Sequence, residues 1–155
     1  MAAPERKKGY MSGIVVGIDG SHNASRALEW AMTEAAIRKA HLTVVTVHSV
    51  PACYWTGNPL PSPGDEDKVA EVRKAAEAAV AATAEKLGVS QPESVTVNAV
   101  IGFPAQALID ASKDSDLLVV GTRGGGGFGS LILGSVSIQV VHHSACPVVV
   151  VPAEH

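Results

Sequence analysis

Residues 116–151 read DLLVVGTRGGGGFGSLILGSVSIQVVHHSACPVVVV. The apolar run Leu117 to Val120 has the length of a buried strand and stops at Gly121. Glycine and serine then dominate until Gly134-Ser135 opens another apolar segment, and Val148 to Val151 supplies a second short strand. Glycine tolerates positive φ and leaves peptide N–H groups uncovered, so such a loop can wrap an anion with main-chain donors. Phosphate is the anion this pattern suits. Ser135 is placed to cap the helix expected after it, whose N-terminal dipole favours the same negative charge. A flexible linker has a similar composition, but a linker rarely lies between two core strands.

Two familiar phosphate signatures fail here. Gly129 to Ser135 has P-loop glycine spacing, but no lysine follows Gly134 to reach the outer phosphates. Gly124, Gly126 and Gly129 satisfy GxGxxG, a match that is nearly automatic in a run of glycines. No strand ending in an acidic residue lies about twenty positions onward, as a dinucleotide fold requires.

A third spacing fits: G-x2-G-x9-G-S, formed by Gly121, Gly124, Gly134 and Ser135. Together with the Asp19-Gly20-Ser21 turn and the closing Pro-Val-Val-Val strand, it resembles the universal stress protein family, in its ATP-binding branch. The likeness runs from about Gly13 to Pro152. It implies a nucleotide site that includes Gly17, Ile18, Asp19, Ser49, Val50, Val100, Gly102, Gly121, Arg123, Gly124, Gly134, Ser135 and Val136. In the family the residue after the second strand meets adenine largely through its backbone, a role that falls to Ser49 or Val50. Val100 to Gly102 would lie beside the base or ribose.

Composition bounds the rest. A chain of 155 residues with 46% hydrophobic content suits one compact domain, residues 13–152, behind a polar tail, residues 1–12, expected to be disordered. Only 4% is aromatic, so alanine, valine and leucine must build the core. A formal net charge of −3 argues against a general nucleic-acid or membrane-surface binder, whose affinity rests on clustered lysine and arginine. Two cysteines and no CxxC exclude a disulfide framework and make a reducing compartment the default. With no signal-peptide pattern and no spanning segment, a cytoplasmic location is expected.

Along the chain, Ile14 to Ile18 reads as a buried strand ending in a capped turn, and Asn23 to Lys39 as a helix with Ala24, Ala27, Leu28, Ala31 and Ala35 on one stripe. Asp19, at the end of the first strand, reads as a turn residue on local grounds and as a ligand neighbour through the family. Leu42 to Val47 is a second strand. His48, with no carboxylate partner visible in sequence, reads as structural rather than catalytic. Pro51 to Asp67 is a long proline-rich loop: it offers either a lid with Trp55 as a stacking group or irregular surface. Glu66 to Leu87 is an amphipathic helix, Ser94 to Val100 an edge strand, and Pro104 opens a third helix. Val136 to His143 is rich in β-branched residues, yet the family pattern makes it helix.

Alternating strands and helices predict an α/β fold: one open five-stranded parallel sheet, order 3-2-1-4-5, with four helices on both faces, Rossmann-like. The all-valine final strand is an apolar edge, so a homodimer joined at Val148 to Val151 is expected. The resemblance implies an ATP-binding regulatory protein acting as a dimeric switch rather than an enzyme, with at most slow ATP hydrolysis. Arg123 is the sole arginine or lysine after Lys113. One guanidinium leaves much of a triphosphate uncompensated, so ATP is expected with Mg²⁺ or Mn²⁺. An interaction-only role, or another adenine nucleotide such as cyclic AMP, is the alternative. No His-x-Gly-His element, nucleophile elbow, metal triad or paired carboxylates are present for catalysis.

Overall fold

In the computed structural model, which describes residues 13–122 and 133–153, five parallel strands form one sheet in the order β3-β2-β1-β4-β5. The strands are β1 (Gly13–Ile18), β2 (His41–Ser49), β3 (Val95–Gly102), β4 (Leu117–Gly121) and β5 (Val148–Val151). The helices are α1 (His22–Arg38), α2 (Asp65–Leu87), α3 (Pro104–Ser112) and α4 (Ser135–His143), with a short 3₁₀ turn at Gly88–Ser90. The expected order and layering are both found.

Strand alternation divides the core into two layers. Ile14, Val16, Leu42, Val44, Leu117 and Val119 pack against the alanine stripe of α1 and against Ala76 of α2. Val15, Val45, Leu118 and Val120 face the other way, onto Leu108 of α3 and Val140 of α4. Ala27, Ala31 and Ala35 are wholly buried, and residues this small let a helix approach the sheet closely. The stripe on α2 is shallower. Val69, Val72, Val80 and Leu87 are half-buried and only Ala76 and Asp65 are buried, because this helix lies over the outer strands.

Local chemistry sets the element ends. Ser21 caps α1, its Oγ accepting the Ala24 N–H at 3.2 Å. Lys39 closes α1 in the left-handed conformation at φ 53°. Asp65, Glu66 and Asp67 put three acidic residues at the positive end of α2, and Gly88 stops it. β2 and β3 run further than their sequences suggest because each completes the other. Their register continues through His48↔Ile101 to Ser49↔Gly102. The β-branched segment before His143 is helical, since α4 must bury Val140 against the sheet. Among the described residues, no helix is long and apolar enough to cross a membrane.

Candidate functional site

The paired register of β1 and β4 runs from Ile14↔Leu117 to Val16↔Val119. Beyond it the two chains part in opposite directions, β1 into α1 and β4 toward α4. In an open parallel sheet this divergence leaves a crevice at the carboxyl ends of the strands. Here it is a cavity of about 410 Å³. β1 and its turn contribute Gly17, Ile18, Asp19 and Ser21; β2 contributes Val45, Val47 and Ser49; β4 contributes Val120, Gly121 and Thr122. Pro104 and Leu108 of α3 close one end, and Gly134 to Ser137 close the other.

The two ends differ in chemistry. Under β2 and α3 the wall is Val45, Val47, Pro104 and Leu108, apolar and suited to a flat ring. At the α4 end the lining is Gly121, Thr122 and Gly134 to Ser137, glycine and hydroxyl residues apart from Val136. The N-cap of α4 is Gly134, which has no side chain to offer, and the first intrahelical bond runs from the Ile138 N–H to the Gly134 carbonyl. The N–H groups of Ser135, Val136 and Ser137 therefore belong to the turn a helix leaves without intrahelical partners. This corrects the expectation for Ser135: it is the first helical residue, not the cap, so its hydroxyl does not compete with an anion for those donors.

Sequence reading missed Ser137. It is buried, and its Oγ donates to the Gly121 carbonyl at 2.8 Å, fastening the first turn of α4 to the end of β4. A serine three residues into a helix is the only trace of this in the sequence.

Two glycines here leave little room for a side chain because of close approach rather than φ. A Cβ on Gly17 would stand 2.8 Å from both Leu108 methyl carbons, and one on Gly121 would stand 3.0 Å from the Asn23 carbonyl oxygen. Gly17 lets α3 settle on β1, and Gly121 lets β4 pass under the first turn of α1.

Of the residues singled out from sequence, Gly17, Ile18, Asp19, Ser49, Gly121, Gly134, Ser135 and Val136 line this cavity. Val50 does not: it is buried, and its N–H donates to the Gly102 carbonyl. Val100 and Gly102 line a neighbouring hollow with Pro59, Phe103 and Gln106. β3 is an edge strand one step beyond β2, so its end opens outside the main cavity. The two hollows share Val45. Arg123 and Gly124 lie outside the described residues.

Asp19 makes the turn foreseen for it and lines the cavity. Its Oδ1 accepts the Ser21 N–H at 2.9 Å, forming the turn before α1, and its exposed carboxylate stands on the cavity wall. It is the one charged side chain among the described lining residues. No group of three or more His, Cys, Asp or Glu side chains able to hold a metal occurs among the described residues.

One further expectation is corrected, and one open choice is narrowed. His48 does have a carboxylate partner: its Nε2 is 2.8 Å from Oδ1 of Asp65, the first residue of α2. Seventeen residues separate the two, and only the return of the chain after the loop brings them together. Trp55 does not reach the cavity. The loop folds into a small hairpin, with an Ala52↔Pro59 bridge and the Cys53 N–H donating to the Asn58 carbonyl at 2.7 Å. Its tip carries Tyr54 and Trp55, 91% and 88% exposed and packed edge to face on each other.

The sequence profile described as "Universal stress protein family" matches residues 11–152. A universal stress protein of Mycobacterium tuberculosis is 36% identical over 146 residues, covering 92% of this chain and 48% of its own length. One from Thermus aquaticus is 35% identical over 140 residues, covering 89% of this chain and 96% of its own. The chain thus spans about half the length of the mycobacterial relatives and nearly all of the Thermus one. A crystal structure of a universal stress protein in complex with cAMP superposes with TM-score 0.62 at 29% identity, covering 91% of this chain and 96% of that one.

Proposed function

The chain belongs to the universal stress protein family, and within that family we propose that it is a regulatory protein binding an adenine nucleotide, ATP first, in the cavity between β1 and β4. The observation that carries this reading is the continuity of one cavity from an apolar wall under β2 and α3 to the N-terminus of α4, which no side chain caps. That order of surfaces matches a base at one end and phosphates at the other. Asp19 stands between them.

A triphosphate would enter a cavity whose one described charge is negative, so a divalent cation accompanies it. Phosphate oxygens supply most of the ligands, and Asp19 offers one carboxylate oxygen at most. Bound Mg²⁺ or Mn²⁺ would neutralise charge. The binding itself falls to the chain: apolar contact for the base, and peptide donors of Ser135 to Ser137 for the phosphates. No catalytic role is proposed for any residue. A second reading, cyclic AMP, is favoured by the same lone negative charge, because a single phosphate charge needs less compensation. The relative solved with cAMP supports it.

We further propose a homodimer through Val148 to Val151, supported by the outermost place of β5 in the sheet. Sedimentation equilibrium should then give about twice 15.9 kDa, and a monomer at all concentrations would exclude it.

The deciding measurement is calorimetric titration with ATP, ADP, AMP and cyclic AMP, each with and without Mg²⁺. ATP binding strengthened by metal supports the first reading. Metal-independent binding of cyclic AMP alone supports the second, and no binding of any of the four would end both.

A further inference from the structure

The Ser137–Gly121 contact bears on how the phosphate end of the cavity is built. β4 enters the loop at Gly121, and α4 leaves it at Gly134. Whatever peptide donors this end presents are useful only if strand end and helix start are held at a fixed separation.

Two hydrogen bonds restrain the β4 side. The Thr122 N–H donates to the Val151 carbonyl at 3.1 Å, and the Thr122 Oγ1 accepts the Ala153 N–H at 3.2 Å. On the helix side no side chain caps α4. The direct hydrogen bond between the two sides, among the described residues, is the Ser137 hydroxyl on the Gly121 carbonyl, 2.8 Å long and buried. Ser137 also stands on the cavity wall, so its hydroxyl hydrogen is committed to the strand rather than turned to a ligand.

We propose that Ser137 is a positioning residue for nucleotide phosphate: its hydroxyl locks the first turn of α4 to β4 and so aims the Ser135 to Ser137 peptide donors. The proposal rests on the nucleotide reading above. A misaimed donor set weakens phosphate contacts and leaves the apolar base end, formed by other elements, almost untouched.

The test is calorimetry of the full chain with Mg-ATP and with adenosine, which has no phosphate, using wild type, Ser137→Ala and Ser137→Thr. Ser137→Ala should weaken Mg-ATP about tenfold, the scale of one buried hydrogen bond, while adenosine affinity changes less than twofold. Ser137→Thr keeps the hydroxyl and should restore Mg-ATP binding. Thermal midpoints verify folding; if Ser137→Ala does not fold, Ser137→Cys, similar in size but a weaker donor, takes its place with the same expectation. Equal losses for ATP and adenosine, or an unchanged ATP affinity, overturn this proposal alone. A wild type that binds adenosine but gains nothing from phosphates overturns it as well. A wild type that binds neither ligand overturns the nucleotide reading and this proposal with it.

Discussion

His48, at the end of β2, and Asp65, at the start of α2, hold the two ends of the Pro51 to Gly64 segment together, Nε2 lying 2.8 Å from Oδ1. The other carboxylate oxygen accepts the Ser62 N–H. The segment between them, which carries the Tyr54-Trp55 hairpin, is thus tied at its base on the face of β2 opposite Val47 and Ser49.

The Ser62 peptide N–H first, then His48 and the charge of Lys68, hold the Asp65 carboxyl below the usual carboxylate range. A carboxyl depressed in the folded state stabilises above its unfolded value, about 3.9, and loses that contribution as pH falls through the folded value. Asp65→Asn should therefore melt below wild type at pH 6, and the two melting curves should converge as pH falls from about 5 toward 2. Parallel curves over that range would mean that Asp65 ionisation adds nothing.

Ser21 links the cavity rim to the helix it caps. Ser21→Ala removes the acceptor of the Ala24 N–H and should cost about 1 kcal/mol, with Ser21→Gly costing only a few tenths. Urea denaturation monitored by far-ultraviolet dichroism reads both, and equal losses would point to a role other than capping.

Gly121 meets backbone, which cannot rotate aside as a side chain can. Gly121→Val should destabilise by about 1–3 kcal/mol through overpacking against Asn23. It should also weaken nucleotide binding, because Asn23 lies in the first turn of α1, next to the cavity-lining Ser21. A stable Gly121→Val protein would show that the first turn of α1 yields easily.

Leu108 is buried over Gly17 and forms part of the apolar wall. Leu108→Ala should cost about 2–5 kcal/mol and weaken adenosine and ATP alike, since it removes wall from the base end. Ile138→Ala, on the exposed side of α4, should change stability by no more than about 0.5 kcal/mol.

Much of the fold was legible because its signals are local. Runs such as Ile14 to Ile18 and Leu117 to Val120, and the alanine stripe of α1, state strand or helix within one segment, and their alternation leaves few topologies. The G-x2-G-x9-G-S spacing pointed to the crevice for the same reason. The cap of α4 was misassigned because serine and glycine both suit that position, and only the backbone path decides which residue stands first in the helix. The choice between lid and surface loop for Trp55 stays open in the sequence because the hairpin turn depends on bonds from Cys53 and Leu60 that no periodicity announces.

By itself, then, the sequence determined an alternating α/β chain, an alanine and valine core, a glycine-rich connection after the fourth strand and a valine edge at the end. Tertiary structure decided that Ser137 reaches the Gly121 carbonyl, that Asp65 meets His48, that Leu108 rests on Gly17, and that Val100 and Gly102 open outside the main cavity. Each of these depends on where the crossovers return the chain against the twisted sheet. That return is fixed by packing both core layers at once, and residues distant in sequence carry no local mark of it.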